Sequence, residues 1–513
     1  MERISALWKA NTIAFISSFC VMVIELVAAR LLAPYIGVSL YTWTSIIGVI
    51  LAGIALGNYL GGKVADRYPS PLLLAFIFFV GSLATAAILP FTHLVGSADW
   101  LGGLPVMVRF TLITFFIFIL PAVILSMVSP MVIKLTLANL GKTGGVVGTI
   151  YACSTAGSIL GTFMTGFYLI LWFGTGMVVW LVVAILILTG IIAWLSYGRP
   201  VKWSLSLKNF VILIVIIEII VGQAFLYQNR DSFQESYTKE SNYYAIQVLQ
   251  GGQNVKVLIL DDLIHGYVNP DDPTVLVYHC VHIFEEITRY ITRENLIPRV
   301  LHLGGGGYTM PRYIDAIYPG SINDVVEIDP AVTQVAYEEL GLPLDTSINT
   351  YNEDARLFLI ERIPIDKYDI VIGDVFNDKS TPYHLTTLEF NELVKSNMEE
   401  EGIYMVNVID DFKHGRYMPS IIHTLRQTFS HVYLFDVGED LPESGIGTFI
   451  IAATDRRIDL IDYKRFVTAN GQKQCVGNPR SEIALDDYLS DRDPILLTDD
   501  YAPTDILVAP IFQ

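Results

Sequence analysis

Cysteine is scarce and scattered in this chain, and its absence from motifs excludes some kinds of site. Four cysteines occur in 513 residues, without a CxxC pair or a Cys/His spacing of the kind that holds structural zinc. Charge is also scarce, at 16% of residues, where average globular domains carry about 25%. These absences argue against a metal site and exclude an ordinary soluble enzyme.

The few charges are divided unevenly along the chain. Residues 1–228 contain 11 basic and 5 acidic side chains, against 22 and 46 in the remainder. Seven stretches of the first part are long and apolar enough to cross a bilayer, which takes about 20 residues. They are Ile13–Leu32, Tyr41–Leu60, Pro71–Phe91, Val106–Leu125, Val147–Tyr168, Met177–Tyr197 and Phe210–Leu226. We therefore predict a multi-pass α-helical domain of about seven helices over 1–228, embedded in the lipid bilayer of the cell membrane.

Small and charged residues stand out within these apolar stretches. Glycines recur at interfacial spacing, which predicts close approach of helix backbones; they are Gly48, Gly53, Gly57, Gly157, Gly161 and Gly166. Four charges lie in or beside the spans: Glu25, Arg30, Arg109 and Glu218. One interpretation is an intramembrane functional site. The other is that the arginines snorkel to the interface and Glu25 pairs with an arginine or with backbone.

Beyond residue 228 the pattern changes to short strands and helices. Two runs, Tyr244–Leu249 and Val255–Leu260, flank a Gly/Asn-rich turn and predict a hairpin. We assign 229–295 to a small β-strand module with a linker helix near Ile283–Ile291. Alternating strands and helices over 296–513 predict a mostly parallel, doubly wound α/β sheet of Rossmann-like type. The predicted strands are Val300–Leu303, Asp324–Ile328, Ile348–Tyr351, Asp369–Gly373, Ile403–Val408 and Val432–Phe435.

A glycine loop and three acids each follow a predicted strand. Gly304–Gly307 permit a tight turn that leaves room for a ligand. Glu327 is placed to accept hydrogen bonds from both ribose hydroxyls, and Asp354 from the exocyclic amine of adenine. The structural alternative is helix capping, with Asp329 before Pro330 as a cap and Asp354 as another. Asp374 ends a further strand, the usual position for chemistry in an open parallel sheet.

The glycine loop lacks a basic residue for phosphate. It also lacks the last glycine of a dinucleotide loop, since Thr309 or Met310 stands there. A ribose-binding acid and an adenine-binding acid without a phosphate group between them favour an adenosyl sulfonium over a dinucleotide.

Several ordered motifs resemble one known family. GGGGYTMPRY, VVEIDPAV, DVFNDKSTPYHLTTLEF and LLTDDYAP are similar to motifs of the polyamine aminopropyltransferases, the spermidine and spermine synthases, and most closely of their membrane-fused branch. The resemblance covers about Glu240–Asp505. It implies a class I methyltransferase-like fold with a small N-terminal β module. It also implies transfer of an aminopropyl group from decarboxylated S-adenosylmethionine to putrescine or a related amine, with release of methylthioadenosine and no prosthetic group.

The resemblance also implies roles for individual residues. Asp374 matches the catalytic acid, and an amine that is protonated at neutral pH needs such a base before it can attack. The nucleoside-binding positions are Gly304, Gly305, Gly306, Glu327, Asp354, Ala355 and Tyr244. The amine-binding positions are His265, Tyr278, His279 and Asp378. His384 either orients the substrate or fixes the loop that carries Asp374, and the loop Glu443–Gly445 is expected to line the substrate site.

The chain departs from the family pattern where the amine is recognised. The family's second acid would fall at Asn377, and here an acid appears one residue later as Asp378. Gly307 occupies a position where the soluble enzymes have aspartate, and Tyr244 and His265 replace glutamines. Nucleoside binding and the base are therefore kept, while the acceptor amine stays open.

Two other functions remain open. A class I methyltransferase fold can use S-adenosylmethionine itself on another amine or on a lipid. Alternatively, the membrane half transports an amine that the second half senses or modifies. The partners we expect are a small-molecule amine and the lipid bilayer, without nucleic acid, and a second copy of the chain is an open alternative. The side of the membrane stays open too: basic loops place the N-terminus in the cytoplasm, so seven spans put the second half outside, whereas a cytosolic co-substrate favours the inside.

Overall fold

The computed structural model describes most of the chain. The described residues are 2–36, 39–96, 104–137, 143–197, 235–252, 254–261, 263–294, 297–362, 367–376, 381–436, 445–469 and 478–512. Two compact units are present, one in Met1–Phe233 with Glu240–Asn242 and one in Gln234–Lys239 with Tyr243–Gln513. The predicted boundary at residue 228 falls outside the described residues and stays a prediction.

The first unit is helical throughout its described part. Its helices are α1 (Glu2–Ile36), α2 (Leu40–Arg67), α3 (Pro71–Ala86), α4 (Ile88–Gly96), α5 (Val106–Ser126), α6 (Val128–Thr136), α7 (Thr143–Met164) and α8 (Ile170–Tyr197). Within the described residues, five helical stretches are long and apolar enough to cross a membrane: Leu7–Ala33, Leu40–Arg67, Pro71–Val95, Met107–Thr136 and Thr143–Leu195.

The last of these stretches contains two of the predicted spans. It joins α7 to α8 through a π-helical turn at Thr165–Leu169, and Gly174 within α8 has the non-helical φ of 72°. The predicted seventh span, Phe210–Leu226, and Glu218 within it lie outside the described residues. The count of seven therefore remains a prediction.

Glycines bring helix backbones together at four of the six predicted positions. A Cβ atom at Gly157 would lie 2.2 Å from the Phe15 carbonyl oxygen, which only glycine permits. At the other three, Gly53, Gly57 and Gly161, an added Cβ would lie 2.6, 2.3 and 2.7 Å from its nearest neighbour. At Gly48 and Gly166 an added Cβ would meet no described atom within 4 Å, so the structure shows no close approach there. Spacing alone identified the small residues without showing which of them face a neighbour.

Two of the charged residues predicted in or beside the spans have a buried polar atom without a partner in the described part of the chain. Oε2 of Glu25 and Nε of Arg109 are buried and have no hydrogen-bond partner among the described residues. The pairing proposed for Glu25 is therefore not seen at this oxygen.

The second unit contains two sheets. Strands β1 (Glu235–Glu240), β2 (Ala245–Gln250), β3 (Lys256–Leu260) and β4 (Leu263–Val268) form a four-stranded sheet in that order. The predicted hairpin is confirmed, because β2 and β3 pair antiparallel, with Val248 opposite Leu258.

The larger sheet has eight strands in the order β12-β10-β11-β9-β8-β5-β6-β7. They are β5 (Arg299–Leu303), β6 (Ile322–Val326), β7 (Asn349–Tyr351), β8 (Tyr368–Gly373), β9 (Met398–Asp411), β10 (His431–Asp436), β11 (Ile446–Thr454) and β12 (Asn478–Pro479). From β7 to β9 the neighbours are parallel, while β11 runs antiparallel to β9 and β10. The sheet is therefore mostly parallel at the end that carries the glycine loop, as predicted.

Helices cover both faces of this sheet. They are α9 (His279–Ile291), α10 (Thr309–Ile317), α11 (Pro330–Glu338), α12 (Ala355–Glu361), α13 (Leu388–Ser396), α14 (Tyr417–Thr428), α15 (Leu460–Ala469), α16 (Glu482–Ser490) and α17 (Thr504–Val508). Alternate strand residues belong to different cores: Leu303 and Val371 pack with α12 to α14, whereas Val300 and Ile372 pack with α9, α10 and α15. This is the two-faced burial of an α/β sheet. The second unit is a class I methyltransferase-like α/β domain.

Candidate active site

The register of the parallel strands brings the site residues into one row. Leu303 at the end of β5 pairs with Gly373 of β8 and with Val326 of β6, and Gly373 pairs with Val406 of β9. The next residues along the four strands, Gly304, Asp374, Glu327 and Asn407, therefore lie side by side at the carboxyl edge. Chain order reverses between β5 and β8, which opens the crevice where open α/β sheets bind ligands.

The glycine loop is shaped by close contact with the next strand. Gly304 has φ of +92°, and a Cβ atom there would lie 2.3 Å from the backbone oxygen of Asp374. The loop ends at Tyr308, a left-handed residue with φ of 55°. Its buried hydroxyl shares hydrogen bonds with Thr333 and Thr350. The turn is therefore fixed at both ends before any ligand binds.

Glu327 holds this loop through its carboxylate. Oε2 accepts hydrogen bonds from the backbone N–H of Gly305 at 2.8 Å and of Gly306 at 3.3 Å, and Oε1 accepts one from Asp329 at 2.9 Å. Burial raises the pKa of Glu327, and these three donors oppose the rise. Asp329 caps α11 through Ala331, as expected. Glu327 thus fixes the loop and lines the cavity at the same time.

Asp354 caps a helix, which is one of its two predicted roles, and it also contacts His384. Its Oδ1 caps α12 by accepting from the backbone N–H of Arg356 and of Leu357, and its Oδ2 contacts Nε2 of His384 at 3.0 Å. The hydrogen bond from His384 holds the pKa of Asp354 below its usual range. His384 itself ties the segment after β8 to Asp354, which agrees with its loop-fixing interpretation.

Asp374 has fewer partners than the other two acids. Its backbone N–H donates to the Leu303 oxygen at 2.9 Å, and its Oδ1 accepts from Nδ2 of Asn407 at 2.8 Å. Oδ2 has no hydrogen-bond partner in the described part of the chain. Burial raises the pKa of Asp374, and the bond from Asn407 opposes that rise. One carboxylate oxygen therefore keeps its lone pairs for an incoming proton.

One cavity joins most of the predicted residues. Its lining includes Gly304–Gly306, Glu327, Asp354, Ala355 and Asp374, together with Tyr244, His265 and Tyr278. The hydroxyl of Tyr244 donates to the Phe376 oxygen at 3.2 Å, and Tyr278 is hydrogen-bonded to Thr448.

Two described positions among those predicted, His279 and Gly445, do not line this cavity. His279 starts α9 and is exposed, because Cys280, Val281 and Phe284 present the inward face of that helix. Asp378, along with Asn377, lies outside the described residues, as do Glu443 and Ser444. Gly445 is described and does not line the cavity.

Gly307 has a local reason to lack a side chain. A Cβ atom at this position would lie 2.7 Å from Cγ2 of Val268, a fully packed residue of β4. An aspartate at this position would require β4 to move or Val268 to become smaller.

Sequence reasoning missed several lining residues. Asn407 and Thr448 come from β9 and β11, and Cys280 and Phe284 come from α9. A signal existed only for Asn407, a single amide within the otherwise apolar run Ile403–Val408. Among the described residues, no group of three His, Cys, Asp or Glu side chains is placed to hold a metal ion.

The second unit is an α/β domain with a cavity at the carboxyl ends of its parallel strands, where open α/β sheets bind ligands. No protein-family model matches the chain. A polyamine aminopropyltransferase of Vibrio vulnificus is 31% identical over 144 residues, 28% of this chain and 47% of that protein. A probable polyamine aminopropyl transferase of Bifidobacterium longum is 32% identical over 108 residues, 21% of this chain and 23% of its own length. The crystal structure of a probable spermidine synthase from Corynebacterium glutamicum matches 52% of this chain and 97% of its own, with 22% identity and a TM-score of 0.46.

The second unit is therefore similar in sequence to known polyamine aminopropyltransferases over 108 to 144 residues. The chain spans about half or less of the length of the curated relatives it matches.

Proposed function

We propose that this chain is a membrane-bound polyamine aminopropyltransferase. It transfers the aminopropyl group of decarboxylated S-adenosylmethionine to putrescine or a related amine. The observation that carries the proposal is the carboxylate of Asp374, which has one free oxygen in the cavity that Glu327 and Asp354 also line. A base and two nucleoside-type acids in a single cavity suit an adenosyl donor beside an amine.

The donor's nucleoside is held at the loop side of the cavity. Backbone N–H groups use three of the roughly four lone-pair sites of the Glu327 carboxylate, and the site left on Oε1 can accept a hydrogen bond from a ribose hydroxyl. Asp354 accepts from the adenine amine, beside Ala355 at the start of α12. Gly304–Gly306 leave the backbone open to the sugar, and Tyr244 covers the sulfonium end.

The reaction needs alignment and one proton transfer. Oδ2 of Asp374 takes a proton from the acceptor's ammonium group, and the freed nitrogen lone pair attacks the propyl carbon next to sulfur. The new C–N bond forms as the C–S bond breaks. Its electron pair goes to sulfur, which leaves as the neutral thioether of methylthioadenosine. A sulfonium is a good leaving group, so positioning the nitrogen supplies much of the rate.

The remaining parts of the proposal concern the acceptor and the membrane. His265 and Tyr278 line the acceptor side, and Asp378 completes our proposed amine contacts. The sheet β1–β4 serves as the family's N-terminal β module. About seven spans hold the chain in the cell membrane. The net charge of −24 beyond residue 228 favours cationic amines over nucleic acid.

A product assay tests this function directly. The full chain in detergent micelles is supplied with decarboxylated S-adenosylmethionine and with putrescine, cadaverine or spermidine in turn, and products are identified by mass spectrometry. We expect methylthioadenosine together with an amine heavier by one aminopropyl group. Intact S-adenosylmethionine is the control donor. If that donor alone reacts and yields S-adenosylhomocysteine, the proposal is wrong and the methyltransferase alternative holds.

A further inference from the structure

Asn407 stands beside Asp374 because of strand pairing. Gly373 pairs with Val406, so the residues after them, Asp374 and Asn407, are neighbours across β8 and β9. The Asn407 side chain is 5% exposed and lines the cavity. It is the only amide in the apolar run Ile403–Val408.

The hydrogen bond between the two side chains settles which way the amide points. An ionised carboxylate only accepts, so the atom of Asn407 that lies 2.8 Å from Oδ1 of Asp374 must be Nδ2. The amide oxygen is then turned away from Asp374. It is buried and has no hydrogen-bond partner among the described residues. A buried acceptor without a partner costs stability, and a leucine here would avoid that cost.

We propose that Asn407 is a positioning residue that occupies Oδ1 of Asp374 and so reserves Oδ2 for the proton of the acceptor amine. This inference rests on the proposed function. Asn407 acts through Asp374 and makes no contact with the reacting atoms. This positioning role would explain why an amide stands in an apolar strand although its oxygen has no hydrogen-bond partner among the described residues.

The amide of Asn407 is uncharged, and this affects how basic the carboxylate of Asp374 is. A lysine or arginine beside Asp374 would hold the proton acceptor in a strongly ionised, weakly basic state. Burial raises the pKa of Asp374, and the single bond from Asn407 opposes this rise without a full charge. The other titratable groups that line the same cavity are Tyr278 just before α9, Cys280 on α9, His302 on β5, His265 on β4, and Tyr244, Glu327, Glu353, Asp354 and His384. Burial raises the pKa of Tyr278 and Cys280, which keeps both neutral.

Two substitutions and one control test the inference in the full chain. Asn407→Asp places a second carboxylate beside Asp374, and Asn407→Leu removes the donor. The control is Asn397→Asp, at the other end of β9. Asn397 is also 5% exposed, and its amide donates to the Leu393 oxygen, away from the cavity.

The first readout is the pH profile of methylthioadenosine release. A like charge raises the pKa of a carboxyl, so in Asn407→Asp we expect the acid limb of kcat to move up by at least about one pH unit. We expect kcat at pH 7 to fall by about 10-fold to 100-fold. The KM for the sulfonium donor should stay within about twofold, because binding of the donor's nucleoside does not use Asn407. Asn407→Leu should shift the limb in the same direction by less.

The second readout does not depend on turnover. A carbodiimide reacts with protonated carboxyl groups, so the pH dependence of Asp374 labelling, followed by mass spectrometry, reports its protonation directly. We expect labelling to extend to higher pH in both Asn407 variants and to be unchanged in Asn397→Asp. If the wild type releases no methylthioadenosine, the proposed function fails, and labelling still decides the role of Asn407. Labelling profiles of both Asn407 variants that coincide with the wild type would overturn the inference.

Discussion

Two sides of the same cavity use carboxylates in opposite ways. On the nucleoside side, Glu327 accepts three backbone hydrogen bonds, and Asp354 accepts two together with a contact to His384. On the acceptor side, Asp374 accepts one bond, from Asn407. Under the proposed function, the carboxylates that bind the donor are fixed by several hydrogen bonds, and the carboxylate that takes a proton is left partly free. The number of donors around each acid would then distinguish binding from catalysis.

The largest effect is expected at Asp374. Asp374→Asn removes the proton acceptor, so turnover should fall by about 10²-fold to 10⁴-fold, while donor affinity changes little. Methylthioadenosine release gives the rate, and calorimetric titration with the donor gives the affinity. Asp324→Asn is a matched control, because Asp324 is a buried acid of β6 that accepts from Tyr368 and Asn349, outside the cavity. If donor affinity fell as much as the rate, Asp374 would be a donor-binding residue. The nucleoside and acceptor sides of the cavity would then not differ in how they use their acids.

Glu327→Gln should weaken the nucleoside side. The amide nitrogen of glutamine cannot accept, so at least one backbone N–H of the loop loses its partner, at a cost of about 1–3 kcal/mol. We expect donor affinity to fall by about tenfold or more and the unfolding temperature to fall with it. Glu353→Gln, on a cavity residue that pairs with Arg362, should change both less. Normal donor affinity in Glu327→Gln would show that the carboxylate has no part in nucleoside binding.

A substitution at Gly307 tests whether packing explains why this chain has glycine where the soluble enzymes have aspartate. Gly307→Asp forces an added Cβ against Val268, and such overpacking costs about 1–3 kcal/mol. In the Val268→Ala background the added side chain has more room, so Gly307→Asp should lower stability less there than in the wild type. Thermal unfolding of the four proteins forms the cycle. Additive effects would mean that Val268 does not exclude a side chain at this position.

The smallest effect is expected at His384. Its hydrogen bond lowers the pKa of Asp354 in the folded chain. A lowered folded-state pKa stabilises the fold above the unfolded value of about 3.9, and this contribution is lost as pH falls through the folded value. His384→Ala should therefore lower stability by up to about 1 kcal/mol near neutral pH. Unfolding curves of the two proteins should converge toward acid, and a gap that widens there would contradict this explanation.

Much of the α/β unit was predictable, because its strands end in recognisable turns and acids. The predicted strands from Val300 to Phe435 correspond to β5 to β10. Strand β11 was missed, since its apolar run Ile446–Thr454 is buried on both faces and lacks a two-residue alternation.

The site residues likewise fall into those that the sequence could predict and those that it could not. Glu327, Asp354 and Asp374 follow strands and could be found from local pattern. Asn407 matters only because β9 pairs with β8, and a long-range register cannot be read from spacing. His279 was predicted as a site residue together with its sequence neighbour Tyr278. It does not line the cavity, because a helix turns neighbouring side chains to different faces.

The most direct test of the account is the pH dependence of methylthioadenosine release in the wild type and in Asp374→Asn. Burial raises the pKa of Asp374, so wild-type kcat should fall through an acid limb above the ordinary value of about 3.9 for aspartate. In Asp374→Asn that limb should be absent, and the residual rate should rise only as the free amine itself loses its proton. An identical acid limb in both proteins would show that Asp374 is not the base.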